Sequence, residues 1–311
     1  MPVSSQYLCG QLIDRRASRH DHRIFAYATA GTKRLCELRS LACARYHRPV
    51  MRGWRAMLYT LLWGAGQAFH LGSRAAMYLA AGTLRLHDLR QAIASTWHDF
   101  FHSETAILSG LMSWERDFYG RFLKPADHVL VVGCGTGRDL IALLKLGYRV
   151  DGVDVSAPSI ALARRMLERE RLAAELSTGA IETVGLTAHF DAFVFSWFCY
   201  GYIPQTASRV AVLGKAKTHL NPEGRILISY VPAERPPRAL PIDLARFTAR
   251  LTRSDWRPEL GDVISPGGGG RRALRYEHQF REGELEEEAR AAGLTVTFHE
   301  RGDVGTAVLM H

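Results

Sequence analysis

The stretch His128–Leu140, HVLVVGCGTGRDL, constrains this chain more than any other. A short apolar run meets Gly133, Gly135 and Gly137, then passes at once into the helical pattern RDLIALLKLG. Strand, glycine turn and helix make the first unit of an open α/β sheet, and such sheets bind ligands in the crevice at the carboxyl ends of their strands. Glycines at that turn allow a tight bend and close approach of backbone to ligand. A dinucleotide asks for GxGxxG, so that its pyrophosphate meets the helix N-terminus. Here the spacing is GxGxG, and Arg138 stands where the dinucleotide fingerprint has its third glycine.

The same grammar continues downstream. YRVDGVDV reads as strand and APSIALARRMLERERL as helix, with Pro158 in its first turn. AELSTG is a weak third strand, FDAFVFSW a fourth, ASRVAVLGKAKTHL a helix and GRILISYV a fifth strand. Strands alternating with helices of this length predict a parallel sheet with helices on both faces. Residues 232–275 break the rhythm: PAERPPRALP and SPGGGGRR flank a short helix expected around Leu244–Leu251, so this reads as an insertion with a glycine-rich flexible tip. EGELEEEARAAG then returns as helix, and LTVTFHER and GTAVLMH as an antiparallel hairpin closing the sheet.

The first third differs in charge. Residues 1–95 hold 14 Lys/Arg against 4 Asp/Glu, whereas the remainder holds 26 against 27, so the net charge of +9 comes from this part alone. It is rich in Ala, Leu and Arg and reads as helical. Met57–Phe69 is its most apolar run, but it falls short of the ~20 residues needed to span a bilayer. HLGSR interrupts before AAMYLAAGTL, which predicts two amphipathic or buried helices. Trp54, Tyr59, Trp63, Phe69 and Tyr78 among Arg52, Arg55 and Arg74 keep contact with a membrane surface open. From Trp97 to Leu123, apolar residues from Ile107 through Phe122 recur at three- and four-residue steps and predict one helix. The expected organisation is a basic helical extension over 1–95, serving as lid, homodimer contact or surface tether, and a domain over 96–311.

Five cysteines, with no CxxC or HExxH, give no disulfide framework and no metal site. The N-terminus lacks the apolar core of a secretory signal. The expected location is cytoplasmic, with peripheral membrane contact as the variant.

Phe122–His311 resembles the class I S-adenosylmethionine-dependent methyltransferases. VVGCGTG is similar to their first motif and VDGVDVS to their ribose-binding segment. FDAFVFSWFCYGYIP looks like their fourth strand and its loop, LNPEGRILISYV like the turn into strand five, and EGELEEEARAAGLTV like the last helix. The resemblance implies a Rossmann-like seven-stranded, mostly parallel sheet. It also implies S-adenosyl-L-methionine as cofactor, with S-adenosyl-L-homocysteine as its product. Gly133, Cys134, Gly135, Thr136 and Gly137 would line the methionine part, and Asp154 at the end of strand two would take the ribose hydroxyls. Asp151 is the rival, but lies mid-strand. Val155 and Ser156 would follow the adenine edge, Ala180 and Ile181 would lie after strand three, and Ser196, Trp197 and Tyr119 would complete the cofactor set. Two family positions depart: Val131 and Ala180 stand where many members carry an acid, with Glu182 as a substitute for the second.

Methyl transfer from a sulfonium is an in-line displacement, so the protein mainly aligns the reactants, and it supplies a base only where the acceptor carries a proton. Tyr200 and Tyr202 after strand four, and His98 and His102 at the start of the domain, are the candidates to orient or deprotonate an acceptor. The loop after strand four has no Asp-Pro-Pro-Tyr or Asn-Pro-Pro-Tyr, and Cys199 follows Phe198 rather than proline, which argues against DNA as substrate. No RNA-binding motif is visible. The expectation is a small-molecule acceptor, apolar or aromatic, methylated at oxygen or nitrogen. A lipid acceptor at a membrane surface, or a non-catalytic binding protein of the same fold, is the alternative.

Overall fold

The computed structural model describes residues 53–97, 103–234, 239–266 and 274–311. Two compact units divide the chain between His70 and Leu71.

Helix α1 (Trp54–Gly82) is continuous, where two helices were expected. Gly64, Gly66 and Gly72 have open space around the position of a Cβ. An exposed glycine costs a helix only about 1 kcal/mol, which the flanking Ala and Leu residues offset. In the first unit, Trp54, Met57, Leu61, Leu62 and Phe69 are exposed. Among the described residues no helix is long and apolar enough to cross a membrane.

The second unit is built on a seven-stranded sheet. Its strands are β1 (His128–Val132), β2 (Arg149–Asp154), β3 (Leu176–Thr178), β4 (Phe190–Phe195), β5 (Leu220–Tyr230), β8 (Thr295–Arg301) and β9 (Gly305–Met310), in the order β3-β2-β1-β4-β5-β9-β8. The first five run parallel. β9 pairs antiparallel with β5 and β8, as the closing hairpin requires. Alternation along each strand feeds two cores. Leu130, Phe193, Phe195, Ile226 and Ile228 pack with α7 (Thr206–Thr218) and α9 (Glu284–Ala291). Val129, Val131, Val194 and Leu227 pack with α4 (Ser113–Phe122), α5 (Arg138–Lys145) and α6 (Ala157–Glu170).

The helix expected over 97–123 is broken. A four-residue turn, α3 (Glu104–Ile107), is followed by Gly110 at φ +77°, and α4 starts afresh. Glu115 fixes that start by accepting the Met112 N–H at 2.7 Å.

The insertion carries α8 (Ala239–Leu251) and a two-stranded ribbon, β6 (Asp262–Pro266) with β7 (Leu274–His278), which sequence reading missed. Its core holds Ile242, Trp256, Ile264 and Tyr276 together with Tyr78 of α1 and Leu89 and Ile93 of α2 (Leu86–Thr96). Gly82 permits the crossing of α1 over α8, because a Cβ there would stand 2.2 Å from the Ala245 carbonyl oxygen.

A buried ionic joint ties the ribbon to α7 and α9. His278 places Nδ1 2.8 Å from Asp262 and Nε2 3.0 Å from Glu284. Arg209 reaches Glu288 at 2.6 Å and Glu259 at 3.1 Å. Burial works to lower the His278 pKa, but its hydrogen bonds to the two carboxylates raise it to about 9. Burial works upward on Glu284, and His278 overrides it, drawing that carboxyl down to about 2. Glu259, Asp262 and His278 could together hold a metal ion, their ligand atoms lying within 4.8 Å of one another. Arg209 already supplies positive charge there, 3.5 Å from His278 Nε2, so the cluster reads as an ion-pair joint.

Candidate active site

The site begins where β1 ends. Gly133, Gly135 and Gly137 have φ of +72°, +52° and +94°, a region that only glycine enters without strain. The Gly133 and Cys134 N–H groups both donate to the Val153 carbonyl, folding the loop over the end of β2. A Cβ on Gly133 would lie 2.7 Å from the Cys199 Cβ, whereas one on Gly135 would meet open space. The loop is thus packed from behind and free in front.

Asp154 stands at the last position of β2, as expected. Its Oδ2 accepts the Gly135 N–H and its Oδ1 the Ser156 N–H, both at 2.8 Å. Burial raises its pKa, with the two backbone donors opposing. Asp151 is engaged elsewhere, with His128 at 2.7 Å and the Glu175 N–H at 3.0 Å, which removes it as the ribose carboxylate.

A cavity of about 190 Å³ opens at this point. One wall comprises Gly133, Cys134, Gly135, Thr136, Asp154, Val155, Ser159 and the segment Gly179–Glu182, which includes Ala180 and Ile181. The lining also includes Arg90, Ile93 and Trp97 with Trp197, Tyr202, Ile203 and Pro204. Arg90 reaches across to Glu182 at 3.0 Å. Trp97 packs on Tyr202 with ring centroids 4.6 Å apart.

The turn after β4 aims the aromatic wall. Trp197 and Phe198 have φ of +47° and +62°. Non-glycine residues in this region cost about 1–3 kcal/mol each and persist only where the surroundings hold them. Phe198 stacks on Trp114, centroids 5.8 Å apart, and donates its N–H to Ser229 Oγ. The Arg138 guanidinium lies 4.8 Å over the Trp197 ring.

Behind the loop is a buried charged cluster. Arg138 pairs with Glu115 and, at 2.6 Å, with Asp139. Asp139 Oδ2 accepts the Ser196 hydroxyl at 2.6 Å and the Tyr119 hydroxyl at 3.4 Å. Arg138, Asp139 and Ser196 line the cavity; Glu115 and Tyr119 stand behind them. Burial and the Asp139 charge push the Glu115 carboxyl up to about 7, against the pull of Arg138.

Several expected residues stand elsewhere. Tyr200 points into the core and donates to Glu288 at 2.7 Å, so it does not reach the cavity. Ser156 caps α6 by accepting the Ser159 N–H, and Ser159 lines the cavity in its place. Gly137 caps α5 and Tyr119 supports Asp139; neither lines the cavity. Tyr202 does line it, but burial drives its phenol well above the ordinary range, so it stays protonated. Burial likewise raises the Cys199 thiol, which donates to the Val132 carbonyl at 3.0 Å. His98 and His102 lie outside the described residues. Sequence reading missed Arg90, Ile93, Arg138, Asp139 and Ser159. The apolar spacing of Leu89 and Ile93 was the available signal for α2, and the acid just inside a glycine-capped helix was the signal for Asp139.

These residues fit S-adenosylmethionine and not a dinucleotide. Arg138 spends its charge on Glu115 and Asp139 and offers none to a pyrophosphate, and the Asp139 carboxylate lines the cavity beside the loop. Asp154 offers a carboxylate of the kind that binds a ribose diol, and open Gly135 admits an uncharged thioether or sulfonium chain.

Residues 129–224 match the methyltransferase domain family. A cypemycin N-terminal methyltransferase of a Streptomyces species is 30% identical over 142 residues, which are 44% of this chain and 54% of that protein. The chain thus spans about half the length of this curated relative. The CcbJ methyltransferase of Streptomyces caelestis superposes with a TM-score of 0.50 at 16% identity, over 69% of this chain and 97% of that one. An S-adenosylmethionine-dependent methyltransferase of Methanosarcina mazei gives 0.49 at 18% identity, over 64% and 97%. Residues 129–224, which hold the glycine loop and the carboxylate at the end of β2, are thus similar to the methyltransferase domain family, and the sheet order agrees with that likeness.

Proposed function

We propose that this protein transfers the methyl group of S-adenosylmethionine to a small-molecule acceptor that is apolar or aromatic, at oxygen or nitrogen, with nitrogen the better supported atom. The observation that carries the reading is the shared cavity, lined by the glycine loop and Asp154 together with Trp97, Trp197 and Tyr202. The loop Gly133–Thr136 would hold the amino-acid part, Asp154 the ribose, and Val155, Ser159 and Gly179–Glu182 the adenine. When bound, the cofactor supplies a methyl group activated by a positive sulfur. The aromatic wall would press the acceptor toward it and keep water out.

Nitrogen is favoured by the lack of a free base among the described lining residues. Asp139 is held by Ser196, Tyr119 and Arg138, and Glu182 by Arg90. Tyr202 and Cys199 stay protonated. A neutral amine brings its own lone pair, whereas an alcohol needs its proton removed in the transition state. The relative named for the N-terminus of cypemycin agrees with that choice. The test is methyl transfer from labelled S-adenosylmethionine to matched panels of aromatic amines, aliphatic amines and phenols, read by mass spectrometry. Methylated amines support the reading; transfer only to phenols moves the atom to oxygen; no transfer to any panel favours a binding protein.

A lipid acceptor is the second reading, supported by the exposed Trp54, Met57, Leu61, Leu62 and Phe69 of α1 within the basic first 95 residues. Co-sedimentation with anionic vesicles that weakens with salt would favour it, and absence of binding would remove it.

A further inference from the structure

At the cavity wall beside the glycine loop two carboxyl groups lie against one guanidinium. Asp139 and Glu115 share one guanidinium, that of Arg138, and the three side chains are 2%, 0% and 8% exposed. Water therefore does little to screen these groups. The two carboxylates are not equivalent. Glu115 is behind the wall, accepting the Met112 N–H at 2.7 Å and paired with Arg138. Asp139 is on the wall itself. A carboxylate offers about four lone-pair sites. Asp139 gives one to Arg138 through Oδ1, and two to Ser196 and Tyr119 through Oδ2. One site remains, on a side chain that neighbours hold in place from three directions. Val131, by contrast, is fully buried in the core with Leu140 and Ile160 and does not line the cavity.

We propose that Asp139, in the first turn of α5, receives the α-ammonium group of the cofactor's amino-acid part, with Ser196 and Tyr119 as the residues that position its carboxylate. The assignment rests on the reading of the cavity as an S-adenosylmethionine site. An ammonium brings a positive charge to Asp139, which shares its one guanidinium with Glu115. It also adds hydrogen-bond donors, which a carboxylate oxygen accepts strongly when both partners are charged and shielded from water. The acid that holds the ammonium has thereby moved from the end of β1, where the chain has Val131, to the far side of the glycine loop.

Isothermal titration of wild-type protein and Asp139→Asn with two ligands separates the outcomes. S-adenosylhomocysteine carries the ammonium; 5′-methylthioadenosine carries the same adenosine and thioether without the amino-acid part. The expected result is a Kd for S-adenosylhomocysteine raised at least about tenfold in Asp139→Asn, with the Kd for methylthioadenosine within about twofold of wild type. An equal loss for both ligands would make Asp139 a purely structural residue and overturn the assignment; so would no loss for either. If Asp139→Asn does not fold, the des-amino analogue of S-adenosylhomocysteine is titrated into wild-type protein, and an unchanged Kd overturns it. Failure of wild-type protein to bind any of these ligands would overturn the cofactor reading together with the assignment.

Discussion

The cavity lining is made by two different means. The cofactor wall is backbone and register: a glycine loop hung on the Val153 carbonyl, and a carboxylate fixed by two N–H groups at the end of β2. The acceptor wall is side chain on borrowed support. Trp97 caps the C-terminal end of α2, Trp197 and Tyr202 come from a strained turn, and the insertion's ribbon buttresses both through His278 and Arg275. Gly201 in that turn lies so close to the ribbon that an added Cβ would be 3.0 Å from the His278 carbonyl oxygen. In the proposed function the first set holds the cofactor and the second the acceptor. Perturbations should therefore separate cleanly.

The largest effect is expected at the loop itself. Gly133→Val puts a branched side chain at φ +72° and drives it into Cys199. It should cost about 2 kcal/mol or more in stability and abolish S-adenosylhomocysteine binding, as calorimetry and thermal melts would record. Retained binding would mean that the loop is not the cradle. Next is Asp154→Ala, expected to weaken S-adenosylhomocysteine by about ten- to hundredfold, with a loss in melting temperature smaller than that of Gly133→Val. Trp97→Ala tests the other wall. The acceptor KM should rise roughly tenfold with the S-adenosylhomocysteine Kd unchanged, and a matching loss in both would merge the two walls into one.

A pH experiment sharpens the same contrast. The folded-state pKa of His278 is raised, so its stabilisation is complete below its ordinary value of 6.5 and is lost as pH rises through about 9. Glu284 is the reverse case. Its lowered pKa gives stabilisation that is complete above 4.5 and is lost as pH falls through about 2. His278→Gln should therefore lower the melting temperature most near pH 6 and least above pH 9, by thermal melts across that range. A penalty independent of pH would mean that His278 acts by shape alone. The smallest effect belongs to Tyr202→Phe. With its phenol held protonated, kcat should fall by no more than about threefold, and a flattened pH–rate profile would instead make Tyr202 a base.

What could be read from the sequence follows the same division. The strand–glycine–helix unit, the carboxylate ending β2 and the succession of strands and helices along the chain rest on local patterns of period two and 3.6 and on glycine, so they are visible in one sequence. The closing hairpin was visible for the same reason. The acceptor wall was not, because nothing local marks it. Ile93 and Arg90 look like an ordinary helix face until α2 folds against a ribbon nearly two hundred residues away. Tyr200 and Tyr202 are equally tyrosine in sequence, yet the turn sends one to Glu288 in the core and the other to the cavity. The break between α3 and α4 escaped because Gly110 was outweighed by the apolar periodicity around it, and the ribbon's five-residue strands flank a segment rich in glycine.

The most direct test of the central claim is titration of the purified protein with S-adenosylhomocysteine and NAD side by side, repeated with Asp154→Ala. Micromolar binding of S-adenosylhomocysteine alone, weakened in the variant, is the result expected from the glycine loop and the β2 carboxylate. Binding of NAD, or binding of S-adenosylhomocysteine that ignores Asp154, would contradict it.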